Sequence, residues 1–139
     1  MTEVRAVKQV GRNTFVLVDA GFNDLMRPAM YGAYHAMTLL DADGHPVDRP
    51  RQPTVVAGPL CESGDVFTQD EQALCPQDLP QAVVGDLLVI HDAGAYGASM
   101  SSNYNSRPLL PEVMIEGQAV RLIRRRQTID ALLALEAGL

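Results

Sequence analysis

The sequence predicts a mainly β domain, a sandwich or barrel-like sheet with one or two short helices. Three observations lead there. Six or seven short runs of β-branched and apolar residues recur along the chain. Glycine, proline, asparagine and aspartate punctuate them, and no long 3.6-residue periodicity intervenes. With 139 residues the chain has the length of one domain, of roughly 100–200 residues, and it reads as a single unit over 1–139.

The elements follow in order. Val4 to Val10 is mixed in character and meets the turn Gly11-Arg12-Asn13. Thr14-Phe15-Val16-Leu17-Val18 follows as an uninterrupted run, so the two segments predict a hairpin whose second strand is covered on both faces. Asp19 to Asp24 is loop chemistry, with Asn23 or Asp24 as a candidate helix cap. Leu25 to Tyr31 predicts a brief helix, limited by Pro28, which disfavours helical geometry at Arg27. A strand is expected from Tyr34 to Leu40, a proline-rich loop over Asp41 to Pro53, and a strand at Thr54 to Gly58. Cys61 to Gln81 reads as irregular with room for one short helix, and Asp86 to His91 as a buried strand. Gly94 to Pro108 is a long, small and polar loop. Glu112 to Glu116 and Ala119 to Arg125 predict a last hairpin across Gly117-Gln118. Thr128 can cap a final helix, Ile129 to Leu135, with Asp130 in its first turn and Gly138 just past its end.

Composition excludes several functions. The 47% of hydrophobic residues allows a core, but no apolar run reaches the length of a membrane span. Met1 to Val10 has no apolar stretch of a secretory signal, so a cytoplasmic location is expected. A formal charge of −6 argues against nucleic acid as partner. The basic cluster Arg121 and Arg124-Arg125-Arg126 follows an apolar alternation and reads as a solvated strand end. Cys61 and Cys75 fit neither a CxxC redox spacing nor a zinc pattern, and a reducing compartment disfavours a disulfide between them. His35, His45 and His91 have no metal-ligand spacing, and no metal is expected; His91 reads as a satisfied histidine ending a buried strand.

Three segments carry chemistry. Cys61-Glu62-Ser63-Gly64-Asp65 sets a thiol, a hydroxyl and two carboxylates around a glycine, on a loop. Gly94-Ala95-Tyr96-Gly97 places a phenol between glycines, where backbone can approach a ligand closely. Arg27 to Tyr31 offers a planar guanidinium suited to a carboxylate or phosphate, with a tyrosine four residues on and so on the same helical face. Each also has a plain structural reading: a turn with a small thiol, a glycine-rich connection, a surface arginine beside a core-edge tyrosine.

Taken together and in order, the segments are more specific. Val18 to His35 resembles the start of the C-terminal domain of the diaminopimelate decarboxylases. Cys61-Glu62-Ser63-Gly64-Asp65 resembles that family's signature, and Gly94-Ala95-Tyr96-Gly97 through Ser102 to Pro108 resembles a third block. The resemblance runs from about Val4 to Ile129. It implies a fold-type-III pyridoxal 5′-phosphate enzyme with an N-terminal (β/α)8 barrel and a C-terminal β domain, assembled as a homodimer with shared active sites. The reaction implied is decarboxylation of meso-diaminopimelate to L-lysine. The resemblance assigns Arg27 to a substrate carboxylate, Tyr31 to holding substrate, Glu62 to the distal ammonium, Cys61 to proton donation in the partner's site, and Tyr96 to the cofactor.

The barrel, with its cofactor-holding lysine, is missing. Lys8 is the single lysine and lies in the first strand. The chain alone is therefore expected to be inactive and not to bind pyridoxal phosphate productively, and Met1-Thr2-Glu3 is expected to mark an artificial start or a truncated frame. Its unpaired surface is expected to self-associate. Two rivals remain: a domain of a related decarboxylase acting on ornithine, arginine or carboxynorspermidine, which Glu62 after the cysteine disfavours, and a non-catalytic β module that binds or regulates a full-length enzyme.

Overall fold

The computed structural model describes residues 1–136, and Gly138 lies outside them. Among the described residues, eight strands dominate and helices are short. Strands β1 (Thr2–Val10) and β2 (Asn13–Val18) form the first hairpin across Gly11-Arg12, pairing Val7 with Val16 and Val10 with Asn13. The chain then crosses over through helix α1 (Arg27–Tyr31) and strand β3 (Met37–Leu40). It returns as β4 (Arg51–Ala57), parallel to β2, and such a parallel pair requires a long crossover. Strands β5 (Gln77–Pro80) and β6 (Leu87–Ile90) complete a six-stranded sheet of order β3-β6-β1-β2-β4-β5. Its edge strands β3 and β5 approach each other, so the sheet is nearly closed into a barrel.

Every strand of this sheet sends a buried residue to one core: Val4, Val16 and Val18, Leu39, Val56, Leu79 and Leu88, with Leu25 and Phe67 from the loops. The alternation of β2 and β4 gives them a second apolar face, where Phe15 and Leu17 pack on Val55, Ala57 and Val66. That is why Thr14 to Val18 reads as an uninterrupted run. A separate antiparallel hairpin, β7 (Glu112–Glu116) and β8 (Ala119–Arg124), stands off the sheet, and α2 (Ile129–Leu133) follows it. Thr128 caps α2 as expected, its hydroxyl accepting from Ala131 N at 3.0 Å. No helix among the described residues is long and apolar enough to cross a membrane.

The structure departs from the sequence reading in five places. Strand β3 starts at Met37, not Tyr34, and β4 starts at Arg51 and runs through Pro53. Proline is tolerated there because pairing with β2 begins only at Thr54. The segment 61–81 holds no helix but contains β5, which lacks β-branched residues and ends in Pro80. Helix α1 begins at Arg27 after Met26, and neither Asn23 nor Asp24 caps it. Asn23 is instead wholly buried, and Asp24 accepts from Gly21 N. His91 lies exposed just past β6 and exchanges a hydrogen bond with Thr38. The buried histidine is His35, whose Nδ1 donates to His91 O at 2.9 Å.

Candidate active site

The crossover places α1 between two loops that carry the other chemistry-bearing residues. Pro28 stands in the first turn of α1, where its missing N–H costs nothing. Gly32 ends the helix at φ +59°, and a β-carbon there would come within 3.1 Å of the Asp70 backbone, so both conformation and space call for glycine. One turn of helix thus fixes where Arg27 and Tyr31 start and stop.

Arg27 and Tyr96 are brought together. The guanidinium carbon of Arg27 lies 5.2 Å from the centre of the Tyr96 ring, a cation–π geometry that orients the fork without occupying its N–H donors. Tyr96 stays largely exposed, and its loop is folded on itself by Ser99 Oγ donating to Ala95 O at 3.0 Å. Tyr31 is not gathered with them. It is exposed and borders a shallow depression with Asp70, Glu71 and Gln72.

The Cys61 loop lies against other residues of α1. Met26, Ala29 and Met30 line a cleft whose further walls are Phe22, Glu62, Gly64 and Tyr104. Neither Arg27 nor Tyr31 borders that cleft, so α1 faces two environments. Glu62 Oε1 accepts from Ser63 Oγ at 3.0 Å and from Gly64 N at 3.1 Å. The Gly64 N–H and then the Ser63 hydroxyl hold its carboxyl below the usual range, leaving a fixed anion at the surface. Cys61 is exposed and free beside it. The serine and glycine of the motif therefore orient the glutamate.

Asp65 differs from Glu62. It is only 3% exposed, and burial raises its carboxyl above the usual value. Its Oδ1 accepts from Phe22 N and its Oδ2 from Leu60 N, each at 2.7 Å. Burial likewise raises Asp24, and Arg107, whose Nη2 donates to Asp19 O at 2.7 Å, offsets part of the effect at both carboxylates. Phe22 in turn packs tilted against Tyr104, with ring centres 4.8 Å apart. Asp24, Asp65 and Arg107 come from three separate segments of the sequence, and these partnerships were not visible there. The nearest signal was the second carboxylate of the motif, four residues after the cysteine.

The remaining groups are engaged in local hydrogen bonds and ion pairs. Asp41, Asp43 and His45 lie close together, but Asp41 Oδ1 accepts from the Asp43 and His45 amides, which makes the cluster a hydrogen-bonded turn. Cys75 donates to Asp70 Oδ2 at 3.1 Å, which raises its thiol. In the basic cluster, Arg121 pairs with Glu116 at 3.5 Å and Arg124 with Glu112 at 3.1 Å, as a solvated strand end would.

Comparison with known proteins gives one answer at three levels. The sequence profile of a family described as the pyridoxal-dependent decarboxylase C-terminal sheet domain matches residues 1–94. Diaminopimelate decarboxylase of Escherichia coli is 66% identical over 138 residues, covering 98% of this chain and 33% of that protein. The Streptomyces coelicolor diaminopimelate decarboxylase is 66% identical over 135 residues, covering 96% of this chain and 31% of that protein. A crystal structure of a diaminopimelate decarboxylase superposes with a TM-score of 0.94 at 65% identity, over 99% of this chain and 33% of that one. The Helicobacter pylori diaminopimelate decarboxylase complexed with L-lysine superposes with a TM-score of 0.83 at 40% identity, over 99% of this chain and 32% of that one. The chain spans about a third of the length of the curated relatives it matches.

Proposed function

The chain belongs to the pyridoxal-dependent decarboxylase C-terminal sheet-domain family, and on that premise we propose that it is the C-terminal domain of a diaminopimelate decarboxylase. In the assembled enzyme it takes part in converting meso-diaminopimelate to L-lysine and carbon dioxide, in lysine biosynthesis in the cytoplasm. The observation that carries this reading is one cationic fork and one fixed anion on a single domain: Arg27 steadied by Tyr96, and Glu62 held by Ser63 and Gly64. A substrate with carboxylates and ammonium groups at both ends needs both kinds of partner.

In this reading Arg27 binds a substrate carboxylate through two parallel N–H donors, and Tyr31 helps hold the bound molecule. Glu62 receives the distal ammonium. Cys61 hands its thiol proton to the carbon that has lost carbon dioxide. Because α1 turns Arg27 and the Glu62 cleft to different environments, these roles fit a homodimer in which Arg27 serves one active site and the Cys61 loop serves the partner's.

When bound, pyridoxal phosphate would supply the electron sink for breaking the carbon–carbon bond. This chain has the residues to contact it but not to hold it. Tyr96 offers an exposed ring beside a cation. Lys8, however, lies six residues along β1 from Thr2, which shares a cavity wall with Gly97. At roughly 3.3 Å per strand residue that is about 20 Å. In this reading the cofactor-holding lysine comes from a (β/α)8 barrel domain, and the chain alone is inactive. The hairpin β7–β8 supplies a surface for that barrel, because Val113, Ile115, Val120 and Leu122 form an exposed apolar face.

The test is reconstitution. The chain is mixed with the barrel portion of the Escherichia coli relative and pyridoxal phosphate, and carbon dioxide release from meso-diaminopimelate is followed. Activity is expected in the mixture alone, with Cys61→Ala lowering kcat by about 10²–10⁴-fold. A folded mixture that stays silent, while the same barrel works with its own C-terminal third, would overturn the proposal.

A further inference from the structure

Asp65 is the one buried carboxylate of the Cys61 loop, and the proposed chemistry leaves it without a task. Its contacts give it one. The Leu60 N–H donates to Asp65 Oδ2 and the Asp65 N–H donates to Glu62 O at 3.1 Å, so the aspartate closes a ring around Cys61 and Glu62. Gly58 N donates to Asp65 O at 2.9 Å, which ties the ring to the end of β4. The other carboxylate oxygen accepts from Phe22 N, in the loop that leads into α1 and Arg27. One side chain therefore holds both loops, through two hydrogen bonds to an acceptor that burial shields from water.

We infer that Asp65 is a positioning residue that locks the Cys61–Glu62 loop to the Arg27 loop, so that the two sets of substrate contacts move as one unit. This rests on the decarboxylase reading for its consequence but not for its geometry. The surroundings leave little room for a substitute. A β-carbon at Gly58 would lie 2.2 Å from Asp65 Oδ2, so glycine is required where the carboxylate passes. Asparagine would set an amide N–H₂ against one of the two backbone N–H groups and lose that bond. Glutamate would need space for one more methylene beside Gly58. If the Cys61 loop serves the partner's site, the lock also joins neighbouring sites: a shift of the Arg27 loop in one reaches the proton donor of the other.

Two measurements test this. Amide hydrogen exchange on the chain itself reads the lock. Asp65→Asn is expected to speed exchange at Phe22 or Leu60 at least ten-fold, while Val55 and Val56 in β4 stay protected. Steady-state kinetics on a fusion of this chain behind the Escherichia coli barrel reads the consequence. Asp65→Asn is expected to raise KM for meso-diaminopimelate and lower kcat together, for at least a ten-fold loss of kcat/KM. Gly58→Ala, which displaces the carboxylate without removing it, should reproduce the pattern. Unchanged protection at both amides, or a fall in kcat in proportion to the folded fraction with KM unmoved, would overturn the inference. A wild-type fusion that is silent would count against the decarboxylase reading instead, and the exchange data would still decide the lock.

Discussion

The six-stranded sheet and the β7–β8 hairpin are both built from short strands rich in apolar residues, yet only the sheet buries them in a core. In the sheet, Val4, Val55, Val56 and Leu88 have no exposed surface. In the hairpin, the cross-strand pairs Val113–Leu122 and Ile115–Val120 put four apolar residues on one face, each more than half exposed. The opposite face carries the polar groups, with Arg124 and Arg121 paired to Glu112 and Glu116. Ile123 falls at the register shift and is exposed as well. An amphipathic ribbon of two strands is marginal by itself. The contrast separates a part of the chain that completes itself from a part shaped for something else.

Four substitutions probe that contrast, from the largest expected effect downward. Leu88→Ala empties the centre of the sheet and should cost about 2–5 kcal/mol in urea unfolding of the chain. A cost below about 1 kcal/mol would mean that the sheet is not the stability core. Arg49→Ala comes next, at about 1–3 kcal/mol. Asp86 is buried and accepts from Arg49 Nη1 at 2.6 Å and Nη2 at 2.9 Å, so removing the arginine leaves a buried carboxylate with only the Val83 N–H. These bonds hold the Asp86 carboxyl below the usual range. Their stabilisation is complete above about pH 4, the ordinary carboxylate value, and fades as pH falls through the depressed one. Acid titration of the Arg49→Ala chain should therefore show a shallower loss of stability below pH ~4 than the parent.

The hairpin should respond weakly to the same kinds of change. Glu112→Gln breaks the solvated pair with Arg124 and is expected to cost no more than about 1 kcal/mol, less still in high salt. Leu122→Glu should alter the unfolding free energy by under about 0.5 kcal/mol, because that side chain is already in water. Its effect belongs to association: sedimentation of the parent chain should show self-association that the variant lacks. A parent chain that is monomeric at high concentration would remove the hairpin face as a surface for self-association. A Leu122→Glu chain destabilised as much as Leu88→Ala would erase the distinction between the two regions.

Much of this was legible from residue order. Turn chemistry at Gly11-Arg12 and Gly117-Gln118 marked both hairpins, and the unbroken run Thr14 to Val18 marked a strand covered on two sides. Strand β5 was not legible, since Gln77-Asp78-Leu79-Pro80 carries no β-branched residue and is held in place by pairing with Arg51 to Thr54. Asn23 and Asp24 read as caps because their side chains accept hydrogen bonds locally, but a buried loop used them otherwise. His91 read as buried because the apolar run before it is buried; the strand stops one residue short of it.

The site divides along the same line. That Cys61, Glu62, Arg27, Tyr31 and Tyr96 deserved notice came from residue types and their neighbours, because a thiol beside a carboxylate, or a phenol between glycines, is a local statement. The division between the Arg27–Tyr96 pair and the Cys61–Glu62 loop, and Tyr31 standing apart from both, depended on how α1 sits in the crossover. The same holds for the two carboxylates of one motif. Glu62 and Asp65 are three residues apart and chemically alike, yet one is an exposed, fixed anion and the other a buried brace. Sequence by itself determined the β class, the hairpins and the candidate site residues, because these follow from local backbone preference and side-chain chemistry. Tertiary structure alone decided which carboxylate faces water, since burial and hydrogen-bond partners 43 residues away, as Phe22 is from Asp65, are set only when the sheet closes.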